Sequence, residues 1–337
     1  MKKRRTMPII LGLLSILAFS GSYHAYAGDI EDQITKSFKV SKGQTLYLKS
    51  DLGSVAVQSW DRDEVTITVI KKADANSKRR AEEIFEDLEL SFDQTMDGVK
   101  IIAEYHGARS WWGERRLQLH FDITVPKQFN LDVRTAGGSI NVMDLIGKAD
   151  LNTSGGSIKA GQIDGAVIAK TSGGTIKVAK ARGDVTASTS GGSISIDEAF
   201  GSVVARTSGG SISMDEITGD AEAHTSGGGL TLKNINGNLN GSTSGGSIHA
   251  EIIGKIDRSC SLKTSGGSIR LYLPHNISAD IDASTSGGHV STDFPITVRG
   301  VIKSSSLQGK INQGGPLIML RTSGGSIFIN ELTGSNP

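Results

Sequence analysis

The chain is 337 residues long, with 43 glycines, 6 prolines and aromatic residues at 5%. Glycine is about twice as common as usual but lacks the G-X-Y triplet of collagen, and proline is too scarce for a disordered linker. The formal charge of +1 argues against an electrostatically driven nucleic-acid binder, and a single cysteine excludes an intramolecular disulfide.

The first element in chain order is a leader. Lys2, Lys3, Arg4 and Arg5 precede an apolar run from Ile9 to Phe19, and Ala25-Tyr26-Ala27 forms a small-x-small cleavage signal before Gly28. This pattern reads as a secretory signal peptide, because the apolar run is too short to cross a bilayer. No cysteine stands near the cleavage point to carry a lipid. The expectation is an exported protein, periplasmic, secreted or on the cell surface, without stable membrane insertion. Loss of the leader turns the charge balance slightly acidic, which does not suit an anionic polymer held by charge alone.

Residues 28–130 read as an N-terminal α+β cap. Strands are expected within 34–71, and Ser54-Val55-Ala56-Val57 after Gly53 resembles a degenerate coil of the repeat that follows. Ala81, Ile84, Phe85 and Leu88 recur at helical spacing, so Ser77 to Leu90 is expected to be one amphipathic helix. Two strands should follow, near Val99–Glu104 and Leu117–Val125. Between them, Arg109-Ser110-Trp111-Trp112-Gly113-Glu114-Arg115-Arg116 is expected at the tip of a hairpin.

Residues 131–332 are a repeat, and 333–337 a short tail. Thr-Ser-Gly-Gly, once Thr-Ala-Gly-Gly, starts at Thr135, Thr153, Thr171, Thr189, Thr207, Thr225 and Thr243, always 18 residues apart. It continues at Thr264 and Thr285 after steps of 21 and ends at Thr322, 37 further on. Ser304 lies midway in that gap, where a degenerate copy is expected, giving about eleven coils. A fixed period of this length is the signature of a solenoid. Five and seven residues after each Thr, and four before it, the positions are mostly Ile, Val, Leu and Ala, with polar residues between. That alternation gives two half-buried strands per coil. Each glycine pair is read as a corner needing positive φ and close packing. A second corner falls at Gly147, Gly165, Gly183, Gly201, Gly219 and Gly237, with Asn276 as a left-handed substitute. Leu145, Ile163, Ile217, Ile235 and Ile253 supply a further inward anchor. The fold class is therefore all-β, a parallel β-helix with an N-terminal α+β cap.

The phrase Ile123-Thr124-Val125-Pro126, then Leu131-Asp132-Val133, then the glycine-bounded Ser-Ile-x-Val coils, resembles a bacterial family of unknown function whose members carry the name "putative adhesin". The resemblance spans roughly 34–332. It implies a single-chain β-solenoid at the envelope or cell surface, some relatives belonging to envelope-stress operons, and it brings no active-site residues.

Among site candidates, Arg109, Trp111, Trp112, Arg115 and Arg116 suit stacking on a sugar ring or anchoring a partner, so a glycan or an envelope protein is the expected ligand. Asp197, Glu198, Asp215 and Glu216 lie one repeat apart and would gather four carboxylates, a set that suits Ca²⁺; no other cofactor is expected. Lys159, Lys170, Lys177, Arg206, Lys263 and Arg270 read as a loosely basic face. Arg182-Gly183-Asp184 is read as one more repeat corner, not a receptor motif. Cys260 falls in an inward column and reads as a buried thiol. No G-x-S-x-G, Walker or H-E-x-x-H motif occurs. The expected role is non-enzymatic: adhesion, an envelope scaffold or a partner in envelope stress. The alternative is a polysaccharide lyase or hydrolase, whose site would draw on Asp257, Arg258, His275, Asp280, Asp282 and His289 near the longer coils.

Overall fold

The computed structural model describes residues 25–26, 29–107, 117–298 and 303–332. Two long sheets, of 16 and 15 strands, face each other across one core. Each coil contributes one strand to each sheet and stacks in parallel on its neighbour, so the protein is a β-solenoid. We number the coils as rungs by position along the stack. Identical spacing makes identical register: Ile158 pairs with Ile140 and Ile176, and Ala169 with Leu151 and Ala187. The inward columns are almost wholly buried and the residues between them face outward.

Ten rungs carry the Thr motif. Seven of them follow the sequence as rungs 3–9, from Asn130–Thr135 and Ile140–Val142 to Leu239–Thr243 and Ile248–Ile252. Rung 10 is Cys260–Thr264 with Ile269–Leu273. The next place is not taken by the next coil. Leu317–Thr322 and Ile327–Glu331, the last strands of the chain, fill it as rung 11. Ala279–Thr285 and Val290–Thr292 lie beyond as rung 12. The chain makes the outer rung first, turns back through Ile296–Val298 and Ser306–Ile311, then inserts its last coil one layer inward. Ser306–Ile311 runs antiparallel to Ala279–Thr285 and covers its edge. Ser304 therefore does not start the expected coil; it lies in the return.

The other end repeats the device. Thr45–Ser50 and Ser54–Trp60 form rung 2, so the degenerate coil expected there is present. Gly98–Tyr105 and Leu117–Pro126 come later in sequence yet stack outside it as rung 1. These two strands lie in different sheets, so the expected hairpin between them is not formed. Antiparallel strands Asp29–Lys39 and Glu64–Asp74 extend one sheet, and Leu88–Thr95 extends the other. The helix α1, Lys78–Glu86, links those two extensions and buries Ala81 and Ile84 in the core. Ser77 caps it, its Oγ accepting the Arg80 amide at 3.3 Å. The helix is shorter than expected because Leu88 already belongs to a strand.

Apart from Gly147, at φ +147°, the corner glycines are needed for space, not for positive φ. None of the motif glycines has positive φ. A Cβ on Gly156, Gly174 or Gly192 would stand 2.0–2.1 Å from the preceding rung's glycine carbonyl oxygen. Each motif Thr closes the same corner: Thr171 Oγ1 donates to Gly156 O at 2.8 Å, and Thr207 Oγ1 to Gly192 O at 2.8 Å. Asn276 is not left-handed either; among the described residues, the non-glycine ones with positive φ are Glu216, Asn234 and Asn312. Asn234 sits at a register shift that turns Ile252 inward and leaves Ile253 48% exposed, so Ile253 is not an anchor.

Candidate functional site

Because the rungs stack in register, the outward columns decide which side chains meet. Of the expected cation ligands, Asp197 pairs with Lys177 at 3.2 Å and Glu198 with Lys180 at 2.7 Å. Asp215 Oδ1 accepts from the Glu216 amide and from Asn234 Nδ2, each at 2.9 Å. The stack thus couples Asp197 and Glu198 to lysines one rung back and does not gather the four carboxylates into one ligand group. The basic residues divide between the sheets: Lys159, Lys177 and Arg270 face out from one, Lys170, Arg206 and Lys263 from the other. They form no single basic face. Arg182 reaches Asp164 at 3.7 Å, and Asp184 accepts the Ser202 amide at 2.8 Å, as a repeat corner should.

The residues considered for hydrolysis do not converge. Arg258 pairs with Asp220 on an earlier rung, His275 with Glu331 at 2.7 Å, and Asp280 accepts the Gly315 amide at 3.3 Å. The Arg321 guanidinium hydrogen-bonds Asp282 and holds its carboxyl below the usual range. His289 Nδ1 lies 3.1 Å from Ser326 Oγ. Burial raises the Cys260 thiol pKa, so it does not stand out as a catalytic thiolate. Arg109, Trp111, Trp112, Arg115 and Arg116 lie outside the described residues.

Two adjoining grooves, of about 280 and 310 Å³, run along the edge where the second corners stack. Lys127 and Ile146 line both, so the grooves are continuous. At one end the Arg62 guanidinium lies over the Trp60 ring at 4.8 Å, while Trp60 Nε1 donates to Glu64 O at 2.7 Å. Lys127 Nζ reaches Asp61 at 2.7 Å. At the other end Asp164 and Arg182 line the groove, and Phe200, 45% exposed, follows them in the same column one rung beyond it. Lys180 and Arg182 stand over that ring at 5.1 and 5.7 Å. These columns advance about 4.8 Å per rung. The strip offers two aromatic rings, each with a cationic side chain over it, charges that nearly cancel, and many hydrogen-bonding groups. That chemistry suits a polar, uncharged or weakly charged chain better than a polyanion. Sequence reasoning did not find this strip: Trp60, Lys127 and Arg182 lie far apart along the chain, and only the rung order brings them together.

No protein-family model matches the chain, and no curated protein matches it. Solved structures do. A putative adhesin from Parabacteroides merdae has a TM-score of 0.40 and 11% identity, covering 89% of this chain and 96% of its own. A putative adhesin from Bacteroides fragilis has a TM-score of 0.34 and 13% identity, covering 89% and 97%. A putative cell adhesion protein from Clostridium sporogenes has a TM-score of 0.22 and 11% identity, covering 90% and 100%. Likenesses this remote fix neither activity nor partner, and the fold stands on the strand register. Among the described residues, no helix is long and apolar enough to cross a membrane.

Proposed function

We propose that this protein is an exported, non-enzymatic rod of the cell envelope that binds a glycan chain along the groove that runs from Trp60 toward Phe200. The observation that carries this reading is the continuous groove itself, with Trp60 lining one end, Phe200 against the Lys180 and Arg182 side chains that line the other, and balanced charge between them. Aromatic faces cover the apolar side of a sugar ring, and paired Asp, Arg and Lys groups meet its hydroxyls. The solenoid supplies rigidity, because each lining residue is fixed by a strand paired on both sides. Export rests on the basic start, the short apolar run and the Ala25-Tyr26-Ala27 signal.

The test is co-sedimentation of the full chain with isolated cell-envelope polysaccharide, beside the Phe200→Ala and Arg182→Ala variants. Both side chains are exposed, so the fold should survive their loss. Binding is expected to weaken about tenfold or more in each variant, the loss of a typical aromatic or charged anchor. Undiminished binding by both would remove the groove as the site, and no sedimentation of the parent would remove the glycan.

A further inference from the structure

Near the N-terminal end, Ser54 meets two side chains distant from it in sequence on the outward face of one sheet. Ser54 begins its strand in rung 2 and is paired in register with His120 of rung 1. Ser54 Oγ lies 2.6 Å from His120 Nδ1, and His120 Nε2 lies 2.9 Å from Asp122 Oδ1. His120 and Asp122 are two residues apart on one strand, so both point to the same face. Asp122 accepts the Nε2 proton and fixes that tautomer, which leaves Nδ1 to accept the Ser54 hydroxyl proton. Gly53, at φ +104°, makes the turn into Ser54, and Leu119 occupies the place a Cβ would need. Only glycine fits there.

We propose that Ser54 is a base-activated acyl acceptor that takes one acyl group from an activated ester or thioester reaching this face of the rod. The inference is independent of the glycan reading. Ser54 Oγ attacks the carbonyl carbon while its proton passes to His120 Nδ1. The bond from that carbon to the leaving oxygen or sulfur breaks with its electron pair, and the leaving group takes the proton back from His120. One alcohol or thiol is released for each ester formed on Ser54, and nothing is oxidised or reduced. Ser139 stands on the next rung beside Ser54. Its Oγ accepts the Ser157 amide at 3.2 Å, which leaves its own proton to meet the developing oxyanion. The open sheet face favours capture of a single acyl group over rapid turnover.

A second set on the other sheet serves as a control within the same molecule. Ser242 Oγ lies 2.6 Å from His224 Nδ1, and His224 Nε2 lies 2.9 Å from Glu222 Oε1. There Arg206 also holds Glu222, which weakens the carboxylate's pull on a protonated imidazole. No cation contacts Asp122 among the described residues. Ser54 should therefore react faster than Ser242.

The experiment treats the full chain with p-nitrophenyl acetate, follows p-nitrophenolate release, and maps the acetyl group by peptide mass. The expected result is one hydroxylamine-sensitive acetyl group per chain, on Ser54. Ser54→Ala should abolish it, and His120→Gln should slow it about 10²-fold, the usual contribution of a positioned base. Asp122 acts through His120 as a positioning residue, so Asp122→Asn should slow the reaction and Asp122→Glu restore most of the rate. Ser242→Ala should change nothing. Label confined to lysines, label divided equally between Ser54 and Ser242, or an undiminished reaction in Ser54→Ala would each overturn the proposal.

Discussion

Between rungs 3 and 10 each rung follows its predecessor in sequence, whereas at both ends the chain passes over a place and fills it from elsewhere. In the middle, Thr153, Thr171 and Thr189 each close a corner on the rung before. At the C-terminal end Thr322 closes on Gly267 of rung 10, and Thr285, earlier in sequence, closes on Gly325 of rung 11. The corner bonds are the same and only the order differs. A repeat therefore specifies how one rung docks on another, and leaves open which rung docks where. The ends use that freedom alike: the first and last coils of the chain lie one layer in, paired on both sides. A conventional solenoid ends on a coil with one bare edge, which invites fraying and edge-to-edge association. Here antiparallel strands cover both strands of rung 1 and the Ala279–Thr285 strand of rung 12 instead, so that Val290–Thr292 alone of these four ends its sheet.

This contrast can be broken by mutation. Leu320 belongs to the inserted rung 11 and is fully buried. Leu320→Ala should cost about 2–5 kcal/mol in urea unfolding, as much as Leu232→Ala in the middle. A cost well below that range would mean that the last coil frays like an ordinary terminus. The corner argument comes next in size. Gly192→Ala places a Cβ 2.0 Å from Gly174 O, while in Gly191→Ala the nearest atom is 3.3 Å away. The first should cost about 1–3 kcal/mol or more and the second clearly less. Equal costs would contradict crowding as the reason for the pair.

The smallest effect concerns pH. Arg321 of rung 11 binds Asp282 of rung 12, and Gln308 of the covering strand donates to Asp282 at 3.2 Å. The folded carboxyl titrates below its unfolded value, so its stabilisation is present above the unfolded pKa and is lost as pH falls through the folded one. Asp282→Asn should be less stable than the parent at neutral pH, and the two should converge as pH falls through and below the usual carboxylate range. A gap that stays constant with pH would show that the carboxylate does not tie these layers together.

Much of the fold was legible because the repeat fixes what faces inward. Ile140, Ile158, Ile176 and Ile194 are all buried, as their common position requires. Cys260 is buried for the same reason. What stayed hidden depended on rung order. The Ser304 coil was inferred from spacing alone, and spacing cannot show that a chain folds back before its last coil. The basic face dissolved because its six residues alternate between two sheets. The four-carboxylate site dissolved because Lys177 and Lys180 lie one rung behind Asp197 and Glu198. The groove that runs from Trp60 toward Phe200 crosses from an N-terminal coil to later ones, and the contact of Ser54 with His120 joins strands 66 residues apart. No local pattern could have announced either.

The most direct test of this order uses the native Cys260. It pairs in register with Ile318 on the inserted rung, and Ile318 separates it from Ile281. Adjacent rungs stand about 4.8 Å apart, within disulfide reach, and alternate rungs about twice that, beyond it. On mild oxidation Ile318→Cys should close an intramolecular disulfide with Cys260, and Ile281→Cys should not. A disulfide in Ile281→Cys and none in Ile318→Cys would mean that the coils stack in sequence order, and the inserted last coil would be wrong.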